Sequence, residues 1–334
     1  MTFNFKNVYL NDVSTIAGPY EKNGPLNKYF DKSYSDFYFN EKTFEDAEVK
    51  MLTESVKTVL GKVGKERADI FISGDLLNQI ISSNLTALNL DIPYFGIYNA
   101  CTTSTEGLIL ASSLVDSKKV KSAITSVSSH NCTSERQFRY PVEYGGSKPK
   151  VMTFTSTGAA AAYVSSEKSK IKIESGTVGR VVDMAIKDVY NMGAVMTPAA
   201  AQTIYDHLKD TNRDISYYDL IVTGDLGIYG KEILKKYMKE VYNIDLKKYN
   251  DCGVMLYDLE KQEVYAGASG PACLPLVSYS LIIKRMLKGE LKKVLLVATG
   301  ALHSPTLVNQ KKSIPALSHA ISLEVVEWYI YIRF

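Results

Sequence analysis

The sequence predicts an α/β protein made by internal duplication, with two equivalent halves facing each other across a pocket. Three observations predict it. The segment Ala68-Asp-Ile-Phe-Ile-Ser-Gly-Asp-Leu76 is echoed by Tyr218-Asp-Leu-Ile-Val-Thr-Gly-Asp-Leu226, each a short apolar run closing on Gly-Asp-Leu. Lys118 to His130 is echoed by Lys292 to His303, one residue shorter. Between the echoes, Ala100-Cys101 corresponds to Ala272-Cys273, each opening a segment of helical periodicity. A repeated order of strand, Cys-led helix, strand and His divides the 334 residues near position 170, into 1–170 and 171–334. Each copy is then one α/β unit that must bury a face against its twin.

The elements follow in order. From Glu41 to Gly61, Phe44, Ala47, Met51, Leu52, Val56, Val59 and Leu60 recur at helical spacing, with Gly61 as the stop. Asp69 to Ser73 is apolar without alternation, as a strand buried on both faces requires, and Gly74-Asp75 is its turn. Tyr94 to Tyr98 reads as a strand, Thr102 to Asp116 as a helix and Ser122 to Val127 as a strand. The polar, aromatic stretch Ser128 to Gly146 reads as a functional loop, and Lys168 to Ser175 leads to the second half. There, Leu220 to Thr223 and Val294 to Ala298 read as strands, Lys231 to Val241 and Leu274 to Leu287 as helices. Mostly parallel sheets result, with ligands expected at the carboxyl edges of the strands.

Composition narrows the function. Lys+Arg 39 against Asp+Glu 36, without a block of like charge, disfavours nucleic-acid binding. No uncharged apolar run reaches the roughly 18 residues of a spanning helix, and the start lacks a secretory pattern, so any membrane role is peripheral. Cys101, Cys132, Cys252 and Cys273 have no CxxC spacing, which argues against a disulfide framework and a zinc site alike and predicts no metal.

The candidate residues lie just past strand edges: Gly74, Asp75, Cys101, His130, Asp225 and His303. Cys101 at the start of an apolar helix has a nucleophile's setting, since backbone N–H groups favour a thiolate; a small core hydrophobe is the plainer reading. Cys273 repeats the place and reads as structural. His130 and His303, at equivalent strand ends, could move protons or hold an anion. His207 reads as a surface or capping residue within a helix, and His319 is open. Arg136 and Arg139, three apart, could present two forks to carboxylates from one helical face; a surface turn neutralised by Glu135 and Glu143 is the alternative. Val325 to Phe334, with the chain's one Trp, reads as an edge strand.

A cysteine opening a buried helix in a duplicated chain resembles the thiolase and ketoacyl synthase superfamily, which implies a thiolase-like five-layered α-β-α-β-α sandwich. Within it, Ala17-Gly-Pro-Tyr-Glu-Lys-Asn-Gly-Pro-Leu26, Ser73-Gly-Asp-Leu-Leu-Asn-Gln79, Ala100-Cys-Thr-Thr-Ser104, Ser129-His-Asn131, Glu135-Arg-Gln-Phe-Arg-Tyr-Pro141 and Glu143-Tyr-Gly-Gly146 resemble the stage V sporulation protein AD family. So do Thr177-Val-Gly-Arg180, Asn250-Asp-Cys-Gly253 and Ala298-Thr-Gly-Ala301. The resemblance runs from about residue 15 to about residue 325. It implies a spore protein that binds dipicolinic acid and helps move it, with calcium, into the developing spore. It also implies a peripheral place at the inner spore membrane, membrane proteins of the same uptake system as partners, and a homodimer. No cofactor is implied.

Dipicolinate is planar, aromatic and doubly anionic. A pocket for it needs donors and an apolar slot, expected from Cys101, Thr102, Gly74, Asp75, Asn78, His130, Asn131, Arg136, Arg139, Asp225, His303 and His319. The competing expectation is an acyl-CoA-dependent acyltransferase or condensing enzyme working through an acyl-Cys101 intermediate. Condensing enzymes of the superfamily supply a histidine after the strand matching Leu220 to Thr223 and an Asn in Gly-Asn-Thr. Here those places read Gly224-Asp225 and Gly270-Pro271-Ala272, so the resemblance implies little condensing activity: one lost oxyanion donor already costs on the order of 3 kcal/mol.

Overall fold

Each half lays out five strands in the same spatial order. The computed structural model describes residues 1–326, so the aromatic tail beyond Val326 lies outside the described residues. In the first half the principal strands are Tyr9–Ala17, Ile70–Gly74, Tyr94–Gly96, Ser122–Ser129 and Gly158–Ser165; in the second they are Ile171–Val178, Leu220–Thr223, Tyr249–Asp251, Lys293–Ala301 and Ala316–Val325. Thr2–Asn4 and Lys32–Ser33 add short edge pieces, and Phe154–Thr155 pairs with Ala268–Ser269 in a separate strip joining the halves. Counted within its own half, each sheet runs third, second, fourth, fifth, first. The second to fourth strands are parallel, but the fifth is antiparallel to its neighbours and the two first strands are antiparallel to each other, so the sheet is mixed instead of mostly parallel as the sequence predicts. The two first strands meet through Tyr9↔Lys172 and Leu10↔Ile171, which makes one sheet of the pair. The duplicated α-β-α-β-α architecture expected from the sequence is the fold.

Strand alternation decides which layer each side chain joins. Ile70, Ile72, Ala123 and Ala160 point inward to a shared core, while Phe71, Ile124 and Ala161 point out beneath helix Phe44–Val63. In the second half Val222, Val294 and Leu296 point inward, and Ile221, Leu295 and Val297 pack under helix Met192–Asp210. The central layer holds helix Thr103–Asp116, through Leu108, Ile109 and Ala111, and the helical segment Cys273–Leu287, through Leu274, Leu276 and Ile282. Burial on both faces explains why these strands read as unbroken apolar runs.

Boundaries shift for local reasons. The first long helix starts at Phe44 because Thr43 caps it, its hydroxyl accepting from Asp46 N at 3.0 Å. It runs past Gly61 and stops at Gly64, whose φ of +64° suits glycine. Gly74 closes its strand instead of turning the chain, because a side chain there would strike the Ile97 carbonyl. Ser128 to Gly146 is not all loop: Asn131–Phe138 is a helix, capped by His130. Lys168 to Ser175 belongs mostly to the strand Ile171–Val178. Among the described residues no helix is long and apolar enough to cross a membrane.

Candidate functional site

Cys101 sits on a tight elbow between strand and helix. Ala100 adopts φ +49°, a left-handed conformation that costs a non-glycine residue energy and needs fixing from outside. Three hydrogen bonds supply it: Thr102 Oγ1 donates to the Asn99 carbonyl at 2.8 Å, Thr103 Oγ1 donates to the Ala100 carbonyl at 2.7 Å, and Asn99 N donates to Thr103 Oγ1 at 3.1 Å. Gly300 of the second half backs the turn, since a Cβ there would lie 3.0 Å from the Asn99 carbonyl. His319 completes the support. Its Nδ1 accepts from Gly179 N at 3.1 Å, and Nε2 lies 3.1 Å from the Asn99 amide.

The elbow turns a half-buried thiol into a chamber of about 70 Å³ between the halves. Arg139 and Ser134 border it from the first half, Thr153 and Thr155 from the strip joining the halves, and Ser269, Gly270 and His303 from the second. Leu76, Tyr98, Phe138 and Met196 supply apolar wall. The sulfur is thus neither sealed in hydrocarbon nor far from donors. Beyond Arg139 lies an open cleft of about 420 Å³, and beyond Tyr98, Phe138 and His303 another of about 570 Å³.

Burial biases the thiol, carboxyl and imidazole of the site toward their neutral forms. Burial pushes the Cys101 thiol well above its ordinary value, and the neighbouring Asp225 carboxyl adds to this. Burial and the neighbouring acid thus work against the thiolate that the sequence reading favours, and Cys101 precedes the capping residue Thr102 instead of lying inside the helix's first turn. Asp225 is 1% exposed; its Oδ2 accepts from Gly270 N at 3.2 Å, while Oδ1 accepts no such hydrogen bond among the described residues, and the Cys101 and Cys273 thiols stand beside the carboxyl. Burial holds it well above the carboxylate range. His303, pushed down to about 4 by burial with Arg139 adding to it, is a neutral imidazole whose Nε2 has no hydrogen-bond partner among the described residues. The fixed cation is Arg139, whose fork is held by both oxygens of Glu135 at 3.2 and 2.9 Å.

The other expected site residues have structural places. His130 is sealed: Nδ1 accepts from Cys132 N at 3.2 Å, Nε2 meets the Phe37 carbonyl at 2.8 Å, and Phe37, Phe39 and Phe44 surround the ring. Asp75 accepts from Leu77 N, Ser83 N and the Ser83 hydroxyl, inside the first half. Asn78 borders the 570 Å³ cleft beside Tyr98, and its N–H is taken by Gln137. Asn131 donates to the Thr155 carbonyl beneath the chamber wall. Arg136 does not share Arg139's setting; half exposed, it pairs with Glu45. His207 is a buried network residue instead of a surface one, 2.6 Å from Thr177 Oγ1 and 2.5 Å from Tyr218 Oη. Ser134, Thr153, Thr155 and Ser269 escaped the sequence reading, since single hydroxyls in polar runs carry no spacing signal.

With this geometry in view, comparison with known proteins identifies the family. A model of the family described as "Stage V sporulation protein AD (SpoVAD)" matches residues 1–324. The chain belongs to the stage V sporulation protein AD family. The stage V sporulation protein AD of Bacillus subtilis (strain 168) is 45% identical over 319 residues, which cover 95% of this chain and 94% of that protein. Solved structures show the fold that this family member shares. A variant of OleA from Xanthomonas campestris superposes with a TM-score of 0.61 at 14% identity, covering 96% of this chain and 98% of its own. The 3-oxoacyl-(acyl carrier protein) synthase III, FabH, of Pseudomonas aeruginosa PAO1 gives 0.58 at 10% identity, covering 97% and 100%. These likenesses establish the thiolase-like fold of the chain.

Proposed function

We propose that this sporulation protein binds dipicolinic acid in the chamber beside Cys101 and assists its uptake, with calcium, into the developing spore. One observation carries the reading: the Arg139 fork, 11% exposed in its side chain, borders a small, mostly apolar chamber together with an imidazole nitrogen that has no hydrogen-bond partner among the described residues. Glu135 takes donors from Nε and Nη2 of the guanidinium, and its remaining N–H groups are the charge-assisted donors for a carboxylate, strengthened by desolvation. Thr153, Thr155 and Ser269 offer hydroxyls, and Tyr98 and Phe138 offer flat apolar wall for a ring. A neutral thiol then contributes shape without reacting. The protein works peripherally at the inner spore membrane beside membrane proteins of the same uptake system. The test is thermal denaturation with dipicolinate, with and without calcium. Ligand at 100 times its dissociation constant should add about 2.7 kcal/mol of stability; an unmoved transition would overturn the reading.

A second reading, acyl transfer through an acyl-Cys101 thioester, draws on the strained elbow and on the fold shared with 3-oxoacyl synthases. The protonated thiol and Asp225 in the place of a base weigh against it. Intact mass after incubation with acyl-CoA separates the two readings, because only the enzyme forms an adduct that Cys101→Ala abolishes.

The homodimer has a natural contact in the outer strand Tyr94–Gly96. It ends the sheet, and Phe95, Tyr98 and Leu88 are 53%, 48% and 76% exposed. An uncovered apolar edge pairs readily with a second copy. Sedimentation should show a dimer that Phe95→Glu converts to monomer; an unchanged dimer would move the contact elsewhere.

A further inference from the structure

Three charged side chains stand in series along the approach to the chamber. Lys148 borders the 420 Å³ cleft, whose charged lining residues are Glu135, Arg139 and Lys148, and also a cleft of about 570 Å³ where the acids Asp36 and Glu263 stand beside Tyr20, Phe37 and Phe154. Arg139 borders the 420 Å³ cleft and the Cys101 chamber. Glu135 lies between them with its side chain 2% exposed, and it is the counter-ion of both. Its oxygens hold the Arg139 fork, and Lys148 Nζ stands 3.9 Å from Oε2.

The charge count gives the arrangement its meaning. Glu135 alone cancels Arg139, and a cancelled fork attracts an anion weakly. Lys148 leaves the group of three net positive. At 3.9 Å it is within ion-pair range of Glu135 yet beyond hydrogen-bonding distance, so it can close further. Its present rest is over the Phe154 ring, 5.7 Å from the centroid. An anion that takes the fork from the chamber side strips partners from a buried carboxylate, and an uncompensated buried charge is costly. A second cation able to close on Glu135 removes that cost.

We propose that Lys148 and Arg139 form an anion relay around Glu135: Lys148 draws a small carboxylate into the 420 Å³ cleft, then takes over Glu135 as Arg139 turns its fork to the carboxylate in the chamber. The relay rests on the binding reading above and adds to it a positioning residue outside the chamber. It predicts a preference for charged over neutral ligands of one shape.

Calorimetric titration with dipicolinate and with pyridine-2,6-dicarboxamide, its uncharged counterpart, tests the relay. Lys148→Met should weaken dipicolinate binding about tenfold and leave the dicarboxamide within about twofold. Lys148→Arg should restore the dicarboxylate. The salt dependence of dipicolinate binding should become shallower in Lys148→Met, as loss of one attracting charge requires. Equal weakening of both ligands would mark a merely structural role and overturn the relay, as would unchanged dipicolinate affinity in Lys148→Met. If the wild-type protein binds neither ligand, the binding reading itself falls and the relay with it, a result visible before any variant is made.

Discussion

The two halves share a strand order but not a chemistry. Cys101 and Cys273 hold equivalent places, yet the first faces the chamber while the second is fully buried, its Sγ 3.2 Å from the Gly224 carbonyl. His130 and His303 close equivalent strands, yet His130 is packed among three phenylalanines and His303 keeps at the chamber a nitrogen with no hydrogen-bond partner among the described residues. Duplication supplies the frame, and the differences between the copies supply the site: the thiol and the cation come from the first half, the carboxyl and the open imidazole from the second.

The sharpest way to break this comparison is at the arginines. Arg139→Met should weaken dipicolinate binding about 100-fold, the value of a charge-assisted pair in a desolvated place, whereas Arg136→Met should leave it unchanged, both read by calorimetry. Equal effects would mean that the chamber is not where the ligand sits.

The histidines should divide stability from binding. His130→Ala removes a cap and a buried ring, and should cost about 3 kcal/mol in denaturant unfolding. His303→Ala should cost less than about 1 kcal/mol and weaken binding about tenfold.

Acidity should separate the halves too. In the first, Glu48 accepts from the Ser128 and Thr133 hydroxyls and is pushed up to about 8, by burial first and Asp75 second. In the second, Asp251 is pushed up to about 6 by burial. Both bind a proton more tightly folded than unfolded, so each contribution is full below its ordinary value and disappears as pH rises through the raised one. Asp251 is therefore spent by about pH 6, while Glu48 continues to cost stability up to about 8; Glu21, near 7 through burial, adds to the middle of that range. Melting temperature should fall across pH 7 to 8, above the range in which the four histidines, lowered to about 4 by burial, still add stability as pH rises. Glu48→Gln should flatten that fall where Asp251→Asn does not.

The smallest effect is in thiol labelling. With iodoacetamide, mass spectrometry should find Cys101 modified slowly at neutral pH, faster in alkali, and Cys252 and Cys273 untouched, because burial raises all three thiols but only Cys101 borders the chamber.

Much of the frame was legible. Runs such as Leu220 to Thr223 must be buried on both faces to be apolar without alternation, so these strands and the duplication could be read directly, whereas Tyr9–Ala17, Gly158–Ser165, Ile171–Val178, Tyr249–Asp251 and Ala316–Val325 escaped that reading. The site was legible at Cys101, Arg139, Asp225 and His303, which follow strands or close a conspicuous segment. It was misread at His130, because an echo records position along a strand and not which neighbours close over the ring. His130 follows Ser129 directly and turns back to cap Asn131–Phe138, whereas two residues past Ala301 put His303 over the chamber. That capped helix was itself hidden, since Asn-Cys-Thr-Ser-Glu-Arg-Gln-Phe has no apolar stripe and owes its form to tertiary contacts. Lys148 gave no signal because its partner Glu135 is near only in space.

The most direct measurement is diffraction from crystals grown with saturating dipicolinate. The account predicts the ring between Tyr98 and Phe138 with one carboxylate within hydrogen-bonding distance of Arg139 and beside Cys101. An empty chamber, or the ligand bound at any other surface of the protein, would contradict it.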